Sequence, residues 1–353
     1  MKRKILVTGS AGFIGFHLVN ELLLNGLEVV GIDNINDYYD INLKLGRLND
    51  AGINTDQINY NEKNTSSTNE AYTFVKLDIN DRDNLESLFE TEKFNIVINV
   101  AAQPGVRYSL VNPYAYADSN LSGFLNILEN CRNYNIEHLV FASSSSVYGL
   151  NETIPYSIKD NIDHPISLYA ATKKANELMA HSYSHLFRIP VTGLRFFTVY
   201  GEWGRPDMAY YLFTKAIYEG SEIKVFNGGN MERDFTYIDD IVKGVVKVVE
   251  CPAKENSQWS GKTPDPSSSS APFRLYNIGN SKPVKLMDFI EEIENSVGKK
   301  ALKKYLPMQP GDVVRTWADV SELERDFGYK PDTPLNVGIT KFINWFKEFH
   351  NIQ

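Results

Sequence analysis

The chain has 353 residues, 42% of them hydrophobic, enough for one large α/β domain with a smaller companion and a sizeable buried core. A net charge of -8 and an isoelectric point near 5.4 argue against a nucleic-acid or anionic-membrane surface and leave anionic ligands to local basic spots. Two cysteines, Cys131 and Cys251, exclude a disulfide framework and suit a reducing compartment, and no apolar run approaches the roughly 20 residues of a membrane span.

Lys4-Ile-Leu-Val-Thr-Gly9 already reads as a first strand rather than a signal peptide, so a soluble cytoplasmic protein is expected. Further short β-branched runs follow at Glu28 to Ile32, Thr73 to Leu77, Asn95 to Val100, His138 to Ala142 and Val191 to Phe197. Helical patterns fill most gaps between them, at Gly15 to Asn25, Arg82 to Thr91, Ala117 to Asn133 and Leu168 to Leu186. This alternation predicts a Rossmann-type, doubly wound parallel sheet with right-handed crossovers. Asn54 to Tyr72 is polar and lacks an apolar period, which predicts a surface loop. After about residue 200 the rhythm breaks and Pro, Tyr and Trp become frequent, as expected of a smaller α/β cap holding a substrate. The expected division gives residues 1–203, with 234–251 returning, to a nucleotide-binding domain, and 204–233 with 252–353 to the cap.

The first strand ends in Gly9-Ser-Ala-Gly12-Phe13-Ile14-Gly15 and opens a helix, the context in which glycines permit a tight turn and a pyrophosphate at a helix N-terminus. Asp33 ends the second strand, where a carboxylate accepts from an adenosine ribose, with Asn34 beside it. No Arg or Lys follows within Asn34 to Asp37, so a 2′-phosphate would meet no counterion and NAD is expected over NADP. Asp78, Ile79, Ala101 and Ala102 fall at later strand ends, placed for adenine and for close cofactor approach. Tyr169 and Lys173 stand one turn apart on one helix face, so the ammonium is expected to lower the phenol's pKa and make it a base. His181 and His185 share a helix face but lack a third ligand, and no metal site is expected.

The glycine-rich turn, the serine run Ser143 to Ser146 and Tyr169-Ala-Ala-Thr-Lys173 together resemble the extended short-chain dehydrogenase/reductase family and, within it, the nucleotide-sugar epimerases and dehydratases. The resemblance runs nearly end to end. It implies that Tyr169 is the catalytic base, that Lys173 holds the nicotinamide ribose, that Ser144 bonds the reacting oxygen and that Asn120 serves the structure and the cofactor site. It also implies a UDP-sugar substrate, with Phe226 beside the base, Arg233 on the phosphates and Asp312 on the ribose. Ser145 and Ser146 stand where a dehydratase carries an Asp-Glu pair, which disfavours dehydration. Thr198 replaces the Asn of galactose epimerases and Arg205 adds a cation nearby, features similar to the UDP-glucuronate 4-epimerases associated with capsule building blocks. That likeness implies a homodimer paired through the helices near 117–133 and 168–186. It also implies C4 oxidation and re-reduction through a 4-keto intermediate, with Arg205, Ser145, Ser146 and Thr198 restraining the carboxylate. The alternatives are a UDP-glucose or UDP-N-acetylglucosamine 4-epimerase and a UDP-glucuronate decarboxylase.

Overall fold

The β-branched runs are apolar on both faces and pair side by side, because only a sheet covered on both sides keeps such faces dry. The computed structural model describes residues 3–309 and 311–352. In chain order its strands are β1 (Lys4–Thr8), β2 (Glu28–Asp33), β3 (Lys63–Thr65), β4 (Tyr72–Lys76), β5 (Ile96–Asn99), β6 (His138–Ser144) and β7 (Val191–Phe196). β8 (Thr198–Tyr200), β9 (Glu222–Phe226), β10 (Glu232–Tyr237), β11 (Phe273–Ile278), β12 (Pro283–Lys285) and β13 (Leu302–Leu306) follow. The helices of the first half are α1 (Phe13–Leu24), α2 (Ile41–Asp50), α3 (Arg82–Glu92), α4 (Pro113–Tyr116), α5 (Phe124–Asn133) and α6 (Leu168–Phe187). Those of the second are α7 (Ala209–Glu219), α8 (Ile238–Glu250), α9 (Leu286–Val297), α10 (Ser321–Phe327) and α11 (Leu335–Phe349).

The large sheet runs β11-β7-β6-β5-β1-β2-β4-β3, parallel except for β3. Alternate side chains of β1 enter different cores. Ile5 and Val7 join α1 and α8 on one face, while Leu6 joins α3, α5 and α6 on the other. Strand order reverses at β1, from which β2 and β4 lie to one side and β5, β6 and β7 to the other. The resulting crevice opens at the strands' C-terminal ends. β8, β10 and β12 form a second sheet, and β9 pairs with β13 in a third.

Two expectations need correction. The stretch from Asn54 to Tyr72 is not simply a loop, since β3 pairs antiparallel with β4 and extends the large sheet. Its polar sequence suits an edge strand with Lys63 and Thr65 exposed. β11, assigned above to the cap, lies in the large sheet beside β7, reached through α8 after a polar insertion that hides the crossover rhythm.

Buried polar groups tie the layers together. Glu177 on α6 receives Arg195 Nε at 2.8 Å, Arg195 Nη2 at 2.9 Å and Ser143 Oγ at 2.6 Å. Arg195 also reaches the Tyr148 hydroxyl at 3.1 Å, which donates to Asn277 Oδ1 at 2.6 Å. Removing one partner of such a buried pair typically costs about 3–5 kcal/mol. The network fixes the ends of β6 and β7 against α6, where the reactive groups emerge.

His138, fully buried at the start of β6, has Nδ1 3.3 Å from the Val249 carbonyl and Nε2 2.9 Å from Thr192 Oγ1. The carbonyl can only accept, so Nδ1 carries the proton and Nε2 accepts from Thr192. Burial lowers its pKa from 6.5 to about 4. The unfolded chain therefore binds a proton first as pH falls, and this group's contribution is lost progressively from pH 6.5 down to about 4. Denaturant titrations should show a steeper loss of stability across that window in the wild type than in His138→Asn. Parallel profiles would contradict the assignment.

Candidate active site

The turn after β1 exists only because it is built of glycine. Gly9 has φ +70°, and a Cβ there would come within 2.9 Å of the Ala101 backbone. A Cβ on Gly15 would overlap the Gly9 carbonyl, so the first turn of α1 can approach this loop only without a side chain. The Gly12 amide closes the turn onto Gly9 O at 2.9 Å. No side chain caps α1, which leaves its first amides and positive dipole end available to an anion, in a cradle fitted to a dinucleotide's pyrophosphate. Gly9, Gly12, Phe13, Ile14 and Gly15 line one end of a 450 Å³ cavity, together with Asp33, Asn34, Asp78, Ile79, Ala101 and Ala102.

Asp33 Oδ1 accepts from the Ile35 amide at 2.8 Å, and Asn34 Nδ2 donates to Asp78 Oδ2 at 2.8 Å. A cation overlooked in the sequence joins them. Lys44 on α2 lies 3.5 Å from Asp33 Oδ1 and donates to Asn36 Oδ1 at 2.8 Å. The cation lies outside the stretch from Asn34 to Asp37 and is brought back to Asp33 by α2. The available signal was Asp40, whose side chain accepts from Asn42 N at 3.0 Å as an N-cap, followed by the helical spacing of Leu43, Arg47 and Leu48.

At the other end, Ser167 caps α6 by accepting from Ala170 N at 3.1 Å, and Tyr169 occupies the first turn. Lys173, one turn on, donates to the Ala142 carbonyl at 2.8 Å, and burial lowers its pKa to about 8. The expected tuning of Tyr169 by Lys173 is not what the structure shows. Burial raises the phenol above its ordinary range, opposed by a hydrogen bond with Ser144 and by the charge of Arg205. The lysine is held instead by a β6 carbonyl, and Arg205 is the cation that acts on the tyrosine. Ser144 Oγ also accepts from Ser146 N at 3.2 Å and Ser146 Oγ at 2.9 Å.

Ser145, Ser146, Thr198 and Arg205 line the same end. Arg205 is held by a carboxylate that the sequence reading missed, with Nε 3.0 Å from Asp207 Oδ1 and Nη2 2.8 Å from Oδ2. Nη2 also lies 3.6 Å from Met208 Sδ, and Nη1 makes no hydrogen bond among the described residues.

Towards the cap, Arg233 donates to the carbonyls of Glu232, Val314 and Val313 at 2.8, 3.0 and 2.6 Å, and lines the cavity with Asp312. Asp312 accepts from Arg107 at 2.9 Å. The Arg107 guanidinium also sits 5.2 Å from the centre of the Phe226 ring. Phe226 is not among the residues that line the cavity. Asn120 also departs from its expected cofactor contact. It is buried in a π-helical stretch at 117–123, accepts from the Gln103 amide at 2.8 Å and donates to Gln103 O and Thr172 Oγ1 at 3.2 and 3.1 Å. It braces the wall behind the site and does not face the cavity. His181 bonds Ser269 Oγ at 2.9 Å.

A family model described as the NAD dependent epimerase/dehydratase family matches residues 5–260. The chain belongs to this family. Protein CapI of Staphylococcus aureus is 54% identical over 347 residues, covering 98% of this chain and 99% of the relative. A probable UDP-glucuronate 4-epimerase of Rhizobium meliloti is 44% identical over 346 residues, covering 98% and 97%. Among solved structures, a UDP-glucuronic acid 4-epimerase from Bacillus cereus, in complex with UDP-glucuronic acid and NAD, matches with a TM-score of 0.82 at 32% identity, covering 98% and 99%. The family's cofactor is NAD, which the glycine cradle and Asp33 fit. No helix among the described residues is long and apolar enough to cross a membrane.

Lys173 yields a prediction independent of any reaction. Its pKa near 8, against 10.5 ordinarily, means that folding penalises the charged form fully below about pH 8 and progressively less up to 10.5. Lys173→Met should therefore melt above the wild type at pH 7, with the advantage shrinking across that window. A lower melting temperature at pH 7 would show that the ammonium stabilises the fold.

Proposed function

We propose that the protein interconverts UDP-glucuronate and UDP-galacturonate by oxidising and re-reducing C4 of the sugar. The observation that carries this reading is Arg205, which lines the cavity with Tyr169, its Nε and Nη2 engaged by Asp207 and its Nη1 without a hydrogen bond among the described residues. A C6 carboxylate would accept from Nη1, and charge-assisted hydrogen bonds to it contribute roughly 1.5 to 3 kcal/mol. Support also comes from relatives named UDP-glucuronate 4-epimerase that match over 98% of this chain.

In this reading the Tyr169 phenolate takes the proton of the C4 hydroxyl, and Ser144 donates to the same oxygen as it becomes a carbonyl. NAD, when bound, would supply reversible hydride-transfer chemistry at C4, with no net oxidation of the sugar. Lys173 would leave the Ala142 carbonyl to bond the nicotinamide ribose. The ketone must turn over within the site before it is reduced on its other face. Arg205, Thr198, Ser145 and Ser146 keep the carboxylate out of line with the ketone's π system, because an aligned β-keto acid loses CO2. Asp33 receives the adenosine ribose, and Arg233 with Asp312 receives the uridine diphosphate.

The cofactor half comprises residues 1–203 with 234–251 and, after the correction above, 273–278; the rest forms the substrate half. A homodimer is proposed through α5 and α6, whose Leu125, Leu168, Leu178 and Leu186 are exposed. A cytoplasmic site suits the two unpaired cysteines, and supply of surface polysaccharide is proposed on the likeness to capsule-associated epimerases alone.

Purified protein incubated separately with UDP-glucuronate, UDP-glucose and UDP-N-acetylglucosamine, with products resolved by NMR, tests the substrate. UDP-galacturonate should form from the first, and Tyr169→Phe should slow it by about 10²- to 10⁴-fold while leaving UDP binding intact. Arg205→Lys should raise KM for UDP-glucuronate, since an ammonium lacks the planar fork. An inert UDP-glucuronate beside an epimerised neutral sugar would overturn the assignment.

A further inference from the structure

Arg47 is fully buried yet pairs with no carboxylate among the described residues. From α2 its Nη1 donates to the Ala11 carbonyl of the glycine-rich turn and to the Tyr39 hydroxyl, both at 2.8 Å. Its Nε and Nη2 both donate to the Trp203 carbonyl, at 3.1 and 2.6 Å. Desolvating a guanidinium is expensive unless its donors are satisfied, and here four of the five N–H groups are spent on two loops and one hydroxyl. One loop cradles the cofactor's phosphates. The other leads, two residues later, to Arg205.

The second loop would not hold this shape unaided. Trp203 has φ +57°, a left-handed conformation that is costly for a bulky side chain, and Gly201 before it has φ +146°. The carbonyl of Glu202 accepts from His17 Nε2 at 3.0 Å, so α1 grips the residue next to the one α2 grips. The Glu202 carboxylate receives the Tyr237 hydroxyl at 2.9 and 2.7 Å. Packing completes the seat. A Cβ on Gly46 would come within 2.8 Å of the Trp203 ring, so glycine in mid-helix lets that ring lie against α2.

We propose that Arg47 is a positioning residue that locks the turn bearing Arg205 to the glycine-rich loop, so that cofactor seating and the hold on the sugar carboxylate depend on one buried guanidinium. The inference rests on the reading of Arg205 as the carboxylate's partner. Its consequence is chemical fidelity. If the turn relaxes, the 4-keto uronate can align its C5–C6 bond with the ketone. That bond then breaks, CO2 leaves, its electron pair enters the C4 carbonyl as an enolate, and C5 takes a proton to give UDP-4-keto-pentose. The hydride taken from C4 then remains on the cofactor as NADH.

The test follows UDP-glucuronate by NMR, with absorbance at 340 nm for NADH, in the wild type, Arg47→Lys, Arg205→Ala and the double variant, after thermal melts establish folding. Arg47→Lys keeps the charge but cannot bridge both carbonyls and the hydroxyl. It should raise the UDP-4-keto-pentose fraction roughly 10- to 100-fold, with NADH rising in step and less NAD retained through gel filtration. Because Arg47 acts through Arg205, the double variant should scarcely exceed Arg205→Ala in by-product, yet lose NAD as Arg47→Lys does. His17→Phe, which preserves the ring but removes the bond to Glu202, should show the same by-product at a lower level and serves if Arg47→Lys does not fold. Unchanged product ratios in a folded variant, or independent multiplication of the two effects, would overturn the inference. A wild type inert towards UDP-glucuronate would defeat the substrate reading itself, whereas an active wild type with faithful variants defeats this inference alone.

Discussion

The reversal of strand order at β1 obliges the ligand-facing groups to emerge along one edge of one sheet. From β1 the chain builds outward to β2 and β4, then returns to lay β5, β6 and β7 on the opposite side. The connections that leave β1 and β5 at this edge run to opposite sides, so the glycine turn after β1 and the Ala101 backbone after β5 face each other. Gly9 is compatible with that approach only because it has no side chain. α1 and α6 begin, and β6 ends, at the same edge, so the glycine turn, Ser144 and Tyr169 share one cavity.

Polar burial is concentrated around this cavity. Glu177, Arg195, Tyr148 and Asn277 bind the ends of β6, β7 and β11 into one block, and Ser143 is spent on that block. Both Ser143 and Ser144 line the cavity, but the Ser143 hydroxyl is spent on Glu177 while that of Ser144 is not. Asp234 does similar work for the cap, its carboxylate accepting from the amides of Asn280, Ser281 and Ala318 at 2.8, 3.0 and 2.9 Å. Such groups contribute little net stability but penalise alternative registers, because any shift leaves a charge unpaired. Geometry near the reacting carbon is thereby fixed by the interior.

Much of this was legible in the sequence because it is local. The glycine spacing, the β-branched runs and the Tyr169 to Lys173 interval each depend on residues within a few positions of one another, and all lie where they were expected. What escaped notice is long-range. Lys44 and Arg47 sit on a short helix with few apolar residues, and their partners Asp33, Ala11 and Trp203 are distant or unremarkable in the chain. Asp207 stands two residues from Arg205, yet nothing in the spacing tells that it folds back on the guanidinium. Asn120 shows the converse: the residue was correctly singled out, but its side chain serves the backbone of Gln103 from behind the wall. β11 is not legible as part of the large sheet because the insertion before it obscures the crossover.

The central claim is that one hydrogen leaves C4 as hydride and returns to the same carbon on the opposite face, with the carboxylate retained. UDP-glucuronate deuterated at C4, turned over by the wild-type protein and examined by NMR and mass spectrometry, tests this most directly. The account predicts UDP-galacturonate with the label fully retained at C4 and no solvent hydrogen introduced at C5. Loss of the label from C4, or solvent exchange at C5 in the product, would contradict it.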